Sequence, residues 1–109
     1  MSGNNDNREP KLLPAMLQGE KRDITWPCAP ALNAGESVAA QVVSCVRDRG
    51  AADSTPSARI ATPAQVIGTD VVQRFSADVG DVWYVISCEV TTTSGRELIG
   101  QGLLYVRPL

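Results

Sequence analysis

The sequence predicts an all-β chain folded as an antiparallel sandwich. Three observations carry that prediction. Apolar and polar residues alternate at period two, most clearly over Val82–Thr92. Clusters of Gly, Pro, Asn, Asp and Ser punctuate the chain at intervals of about ten residues. No long run repeats apolar residues at helical spacing. About seven short strands with such turns suit two stacked sheets whose inward residues share one core, with a barrel as the competing architecture. The chain has 109 residues, 43% of them hydrophobic, so one domain can build a packed core without a metal or disulfide framework.

In chain order, residues 1–20 read as an extended N-terminal arm and residues 21–109 as the sandwich domain. The arm opens on Met1-Ser2-Gly3-Asn4-Asn5-Asp6-Asn7-Arg8-Glu9-Pro10, which is polar and carries no apolar run of a secretory signal. Leu12, Leu13, Met16 and Leu17 close it as an apolar cluster, to dock on a neighbouring molecule or on the chain's own domain. Lys21–Trp26 reads as an edge strand, because Pro27 and Pro30 cannot donate to a ladder. Ser37–Arg47 is a second strand with Val38, Ala40, Val42 and Val46 on one face. Gly50–Pro56 is a loop of small residues. Arg59–Ala61 and Gln65–Ile67 are weaker strands around Pro63, and Val71–Ala77 is a stronger one. In Val82–Thr92, Val82, Tyr84, Ile86, Cys88 and Val90 share one parity. Ser94-Gly95 turns the chain into a last strand, Arg96–Val106, whose Gly100 and Gly102 mark a bulge or a close backbone approach.

The composition removes several kinds of chemistry. Ten basic and 12 acidic residues leave a net charge of −2, which does not suit a protein that coats nucleic acid. Histidine is absent, and with it the commonest general base and metal ligand. A serine–lysine arrangement would have to draw on Lys11 or Lys21, in the arm and the first edge. Asp78 and Asp81 flank Gly80 as a turn would place them, capping backbone N–H groups. Cys28, Cys45 and Cys88 form no CxxC pair, so zinc and thioredoxin-like chemistry are not indicated and reduced thiols are expected. The reading is therefore of no catalytic residues, no metal and no cofactor. No stretch is long and apolar enough for a membrane-spanning helix, and the chain is expected to be made in the cytoplasm. Trp83 has the parity opposite to the Val82–Tyr84 face, so it points to solvent. Trp26 lies near the edge. Exposed tryptophans of this kind anchor an interface or a packed arm.

The run Gly80-Asp81-Val82-Trp83-Tyr84-Val85-Ile86-Ser87-Cys88-Glu89-Val90-Thr91-Thr92-Thr93-Ser94-Gly95-Arg96 resembles the small immunoglobulin-like structural proteins of tailed bacteriophages, the fiber–tail adaptor or neck-region family. The matching positions are Gly80, Tyr84, Val90, Thr91, Thr92, Gly95, Arg96 and Val106. Asp23-Ile24-Thr25-Trp26, followed by Leu32-x-x-Gly35-Glu36-Ser37-Val38, is similar to the family's opening strand and turn. Residues 48–70 and the arm fall outside the likeness. The resemblance implies an immunoglobulin-like antiparallel β-sandwich, no catalysis and no cofactor. It implies a virion structural protein, synthesised in the bacterial host cytoplasm, that joins portal, adaptor, tail or fiber subunits as a homo-oligomeric ring. Direct contact with nucleic acid or membrane is not expected.

The interface would draw on Leu12, Leu13, Met16, Leu17, Trp26 and Trp83, with removal of the first 18 residues leaving a folded monomer that no longer joins the particle. Two other readings compete. One is a capsid decoration protein on the phage head, bracing the shell or touching host polysaccharide. The other is a small cytoplasmic inhibitor acting by edge-strand pairing.

Overall fold

The computed structural model describes residues 10–109. Eight strands follow in order: β1 (Lys11–Leu12), β2 (Met16–Leu17), β3 (Lys21–Pro27), β4 (Val38–Gly50), β5 (Gln65–Ile67), β6 (Asp70–Ser76), β7 (Val82–Thr92) and β8 (Glu97–Arg107). One sheet runs β1–β8–β7–β4, with β2 also on β8, and the other runs β3–β6–β5. The expected sandwich of two sheets is therefore present. Among the described residues the only helical elements are two 3-10 turns, Ala29–Ala31 and Pro56–Ile60. The second replaces the strand expected at Arg59–Ala61. Proline at its first turn starts it, and the Arg59 side chain is drawn inward rather than alternated.

The β7–β8 hairpin follows its sequence closely. Val82, Tyr84, Ile86, Cys88 and Val90 are buried, while Trp83, Val85 and Ser87 lie half-exposed on the other face. Thr92 pairs with Arg96 through an N–H donated to the Arg96 carbonyl at 2.8 Å. Thr93, Ser94 and Gly95 thus form a three-residue loop, with Gly95 in the left-handed region at φ 90°. Register on β8 is unbroken from Thr91↔Glu97 to Val82↔Val106, so Gly100 and Gly102 mark no bulge. They mark close approach. A Cβ on Gly102 would stand 2.6 Å from Leu13 Cδ1, and one on Gly100 would stand 3.0 Å from Trp26 Cδ1. The two glycines make a dent in the inner face of β8 that these side chains fill.

On β4 the alternation places the apolar residues in an unexpected way. Gln41, Val43 and Cys45 face inward, while Val42 and Val46 are 64% and 54% exposed. Bulges at Ala39 and Asp48 bound the regular stretch, and the first sends Val38 inward but Ala40 outward. The single face expected for Val38, Ala40, Val42 and Val46 is broken there.

Residues 1–9 of the expected arm lie outside the described residues. The remainder of that arm is built into the sheet. β1 and β2 run parallel to β8, with Lys11↔Gly102 and Met16↔Val106. Pro14 has no N–H to give, and the ladder is interrupted there. Arg22 of β3 catches the two carbonyls left free, donating to Pro14 O at 2.9 Å and Ala15 O at 3.2 Å. Met16 is fully buried with Ile24, Phe75, Tyr84, Leu104 and Val106. Removing the first 18 residues would therefore strip a core side chain and uncover the β8 edge. The folded truncation expected from sequence is corrected on that ground.

The core has two parts. The larger surrounds Phe75 and Tyr84, whose rings meet edge to face at 5.4 Å. The smaller gathers Cys28, Val71, Cys88 and Val90. Cys45 and Cys88 stand on neighbouring strands of one sheet, opposite Ile86 and Val43 respectively. Cys28 is the thiol that joins the Cys88 cluster. All three are free, and burial pushes Cys45 and Cys88 up to about 12, which keeps them protonated thiols.

Candidate interaction surface

The outer face of the five-stranded sheet is assembled from the residues that alternation turns away from the core. Register lines them up in rows across the strands. One row is Val46–Val85–Leu103–Leu12, apolar over four strands, and Leu12 at its end is 67% exposed. The next row is Arg49–Trp83–Tyr105. The Asp48 bulge puts Arg49 opposite Trp83, and its guanidinium sits 4.7 Å from the indole centroid. Trp83 and Tyr105 stack at 4.8 Å with a 31° tilt. Tyr105 donates its hydroxyl to Asp81 at 3.0 Å, and that bond raises its pKa. A cation, an indole and a phenol are thus held side by side along an apolar stripe, an arrangement suited to an interface centre rather than to bond-making chemistry.

Both ends of β4 are fastened by carboxylates of half-buried residues, Glu36 and Asp53, whose side chains are turned inward. Before it, Glu36 receives a two-pronged bond from Arg96, Nε to Oε2 at 3.0 Å and Nη2 to Oε1 at 2.5 Å. It also accepts from Thr92 Oγ1 at 2.7 Å, Asn33 N–H at 2.7 Å and Ser94 Oγ. These bonds, Arg96 first, hold the Glu36 carboxyl far below the usual carboxylate range. After β4, Tyr84 donates to Asp53 Oδ2 at 2.6 Å, while Arg59 lies 3.7 Å from Asp53 and 3.1 Å from Asp78. Burial alone would raise Asp53; the Tyr84 hydroxyl, the Thr55 N–H and Arg59 outweigh it and lower its pKa. Burial and the same bond raise Tyr84. Asp78 and Asp81 therefore serve different partners, Arg59 and Tyr105, instead of capping one turn. Asp81 itself sits at φ 60°, a left-handed conformation that Asp tolerates better than most residues.

The residues singled out from sequence fall in different places. Leu12 and Trp83 lie on the outer face. Leu13 and Trp26 fill the glycine dent of β8 and line a cleft of about 350 Å³ between β8 and β3. Met16 is buried and Leu17 half-buried. Leu103, Tyr105 and Arg49 complete the outer face and were not singled out. The parity of Leu103 and Tyr105 against Leu104 was the available signal. For Arg49 there was none, because a bulge sets its direction. Glu36 and Arg96 appear in the sequence only as separate turn motifs, and the fold brings them together. Among the described residues no group of three or more Cys, Asp or Glu is placed to hold a metal ion, and no helix is long and apolar enough to cross a membrane. Comparison with protein-family models, curated proteins and solved structures finds no match.

Proposed function

We propose that this chain is a non-enzymatic structural module of a tailed bacteriophage particle, immunoglobulin-like in topology. Its place is the neck or the fiber–tail adaptor region, among portal, adaptor, tail or fiber subunits. The observation that carries the reading is the outer face of the five-stranded sheet. An apolar row four strands wide, flanked by the Arg49–Trp83–Tyr105 stack, is a surface made to be covered by protein.

Strand order supports the immunoglobulin-like part. β4–β7–β8 against β3–β6–β5 has the order of the C–F–G and B–E–D strands of that fold. One departure is that the first strand, split into β1 and β2, lies along the last strand rather than in the opposite sheet. The resemblance gains support from the clamp as well. Its two stretches, Gly35-Glu36-Ser37 and Thr92-Thr93-Ser94-Gly95-Arg96, bond to each other through Glu36, Arg96 and Thr93.

The reading is tested by tagging the chain in the host that carries its gene and banding particles on a density gradient. The expected result is co-sedimentation with complete particles at about a dozen copies each, as a closed ring requires. Trp83→Ala and Leu12→Asp should reduce incorporation without unfolding the chain. Hundreds of copies per particle would select the capsid-decoration reading. A chain that never enters particles, or that turns over a substrate, would overturn the proposal.

A further inference from the structure

We infer that β4 is a self-docking edge: two copies of this chain pair β4 with β4, antiparallel about a two-fold axis at Ser44. This goes beyond the virion reading and stands independently of it.

The other sheet edges are guarded in recognisable ways. β3 carries Lys21, Arg22 and Asp23 and ends on Pro27. β5 has three residues. The outer edge of β8 is already taken by β1 and β2. β4 has 13 residues, and Val38–Val46 contains no charge, no proline and no glycine. Charge, proline and shortness are the usual protections of an open edge, and β4 has none of them over this stretch. Among the described residues, no backbone hydrogen bond from Ala40–Val46 reaches any segment other than β7.

The groups on offer follow from the ladder. The Thr92–Arg96 bond sets the phase of β7, so its even-numbered residues bond to β8 and its odd-numbered ones to β4. Val42↔Glu89 and Ser44↔Ser87 then turn the even-numbered residues of β4 toward β7. Gln41, Val43 and Cys45 aim their N–H and C=O at the open side.

A second copy fits that offer. With the axis at Ser44, Val43 lies opposite Cys45 of the other copy and exchanges both backbone bonds with it. Val42 lies opposite Val46, so the two exposed valines of each chain cover those of the other. Arg47, the one charge in the regular stretch Ala40–Arg47, falls opposite Gln41. No like charges oppose each other. Moving the axis to Val43 gives Val42–Ser44 and Val46–Ala40 pairs, and moving it to Cys45 sets Val42 against Asp48. Of these three registers only that at Ser44 sets the two exposed valines against each other, and a two-fold contact requires such self-complementarity.

Sedimentation equilibrium of the purified chain tests this. The expected result is a reversible shift from 11.6 kDa toward twice that mass with rising concentration, since a contact confined to an edge is a small, weak interface. Hydrogen exchange should show the Val43 and Cys45 amides gaining protection with concentration, while those of Val42 and Ser44 stay protected throughout. Val42→Lys/Val46→Lys should weaken association at least about tenfold, because like charges then face each other. Val42→Lys/Val46→Glu should restore it, because this register sets each lysine against a glutamate. A chain monomeric at every concentration, or a dimer indifferent to the lysine pair, would overturn the inference. If the variants unfold, the exchange pattern of the native chain decides alone, and protection of Val43 and Cys45 that ignores concentration overturns it.

Discussion

The two long sides of the five-stranded sheet are finished in opposite ways. Along β8 the chain covers its own edge: β1 and β2 pair with it, Leu13 and Trp26 fill its glycine dent, and Arg22 reaches over from the other sheet to hold the break at Pro14. Along β4, among the described residues, no further strand pairs with the edge, and the strand is instead fastened at its ends by Glu36 and Asp53. The difference separates two kinds of stability. The β8 side is held by shape and apolar burial, which respond to volume. The β4 side is fastened by charge at its ends and, among the described residues, has no strand paired to its edge between them, so it responds to pH and to other chains.

The contrast is broken most directly at Met16. Met16→Ala leaves a cavity where a fully buried side chain stood and should cost about 2–5 kcal/mol in a denaturant titration. Deleting residues 1–18 should cost more, since it also uncovers β8. Equal stability of the deleted and full-length chains would show that the β8 side is closed by something other than its own first strands. Gly102→Ala comes next. Its added methyl meets Leu13 Cδ1 at 2.6 Å, and displacing that side chain should cost about 1–3 kcal/mol. The companion Gly102→Ala/Leu13→Ala should recover part of the loss if the dent and its plug act as a pair.

What was legible in the sequence follows the same division. Elements whose structure is set by local alternation read cleanly: Val82–Thr92 and its return strand have the expected bounds and parity to within a residue. Elements set by a long-range partner did not. Lys11–Leu12 and Met16–Leu17 are too short and too interrupted by proline to announce themselves as strands, and they become strands because β8 offers an edge. The outward turn of Val42 and Val46 depends on which face of β4 meets the second sheet, and alternation alone cannot choose it. The bulges at Ala39 and Asp48 leave no mark on composition. Glu36 and Arg96 lie 60 residues apart in sequence, and only the fold shows that they form one clasp.

Acid should open the β4 side before the β8 side. Glu36 and Asp53 both have pKa values lowered in the folded chain. The folded state therefore binds fewer protons than the unfolded one. The stability these groups lend is complete above the unfolded values of about 4.3 and 3.9 and is lost as pH falls through and below them. Amides of β4 that bond to β7 should then exchange faster in acid while those of β8 hold. Glu36→Gln and Asp53→Asn should each flatten the acid limb of the stability curve, at the expense of lower stability at neutral pH. A β4 and a β8 that loosen together would mean that the end clasps and the apolar side are one cooperative unit.

The smallest expected effect sharpens the contrast furthest. Val42→Thr keeps a β-branched side chain on an exposed strand position and removes apolar surface that contacts little within one chain. In dilute solution its unfolding free energy should lie within about 0.5 kcal/mol of the parent. The same substitution pairs a threonine hydroxyl with Val46 across the proposed two-fold axis, so at high concentration it should lower the protection of Val43 and Cys45. An effect present only when chains meet belongs to the contact between copies. An effect of equal size at every concentration would instead make Val42 part of the monomer's own packing, and the two sides of the sheet would then differ less than their edges suggest.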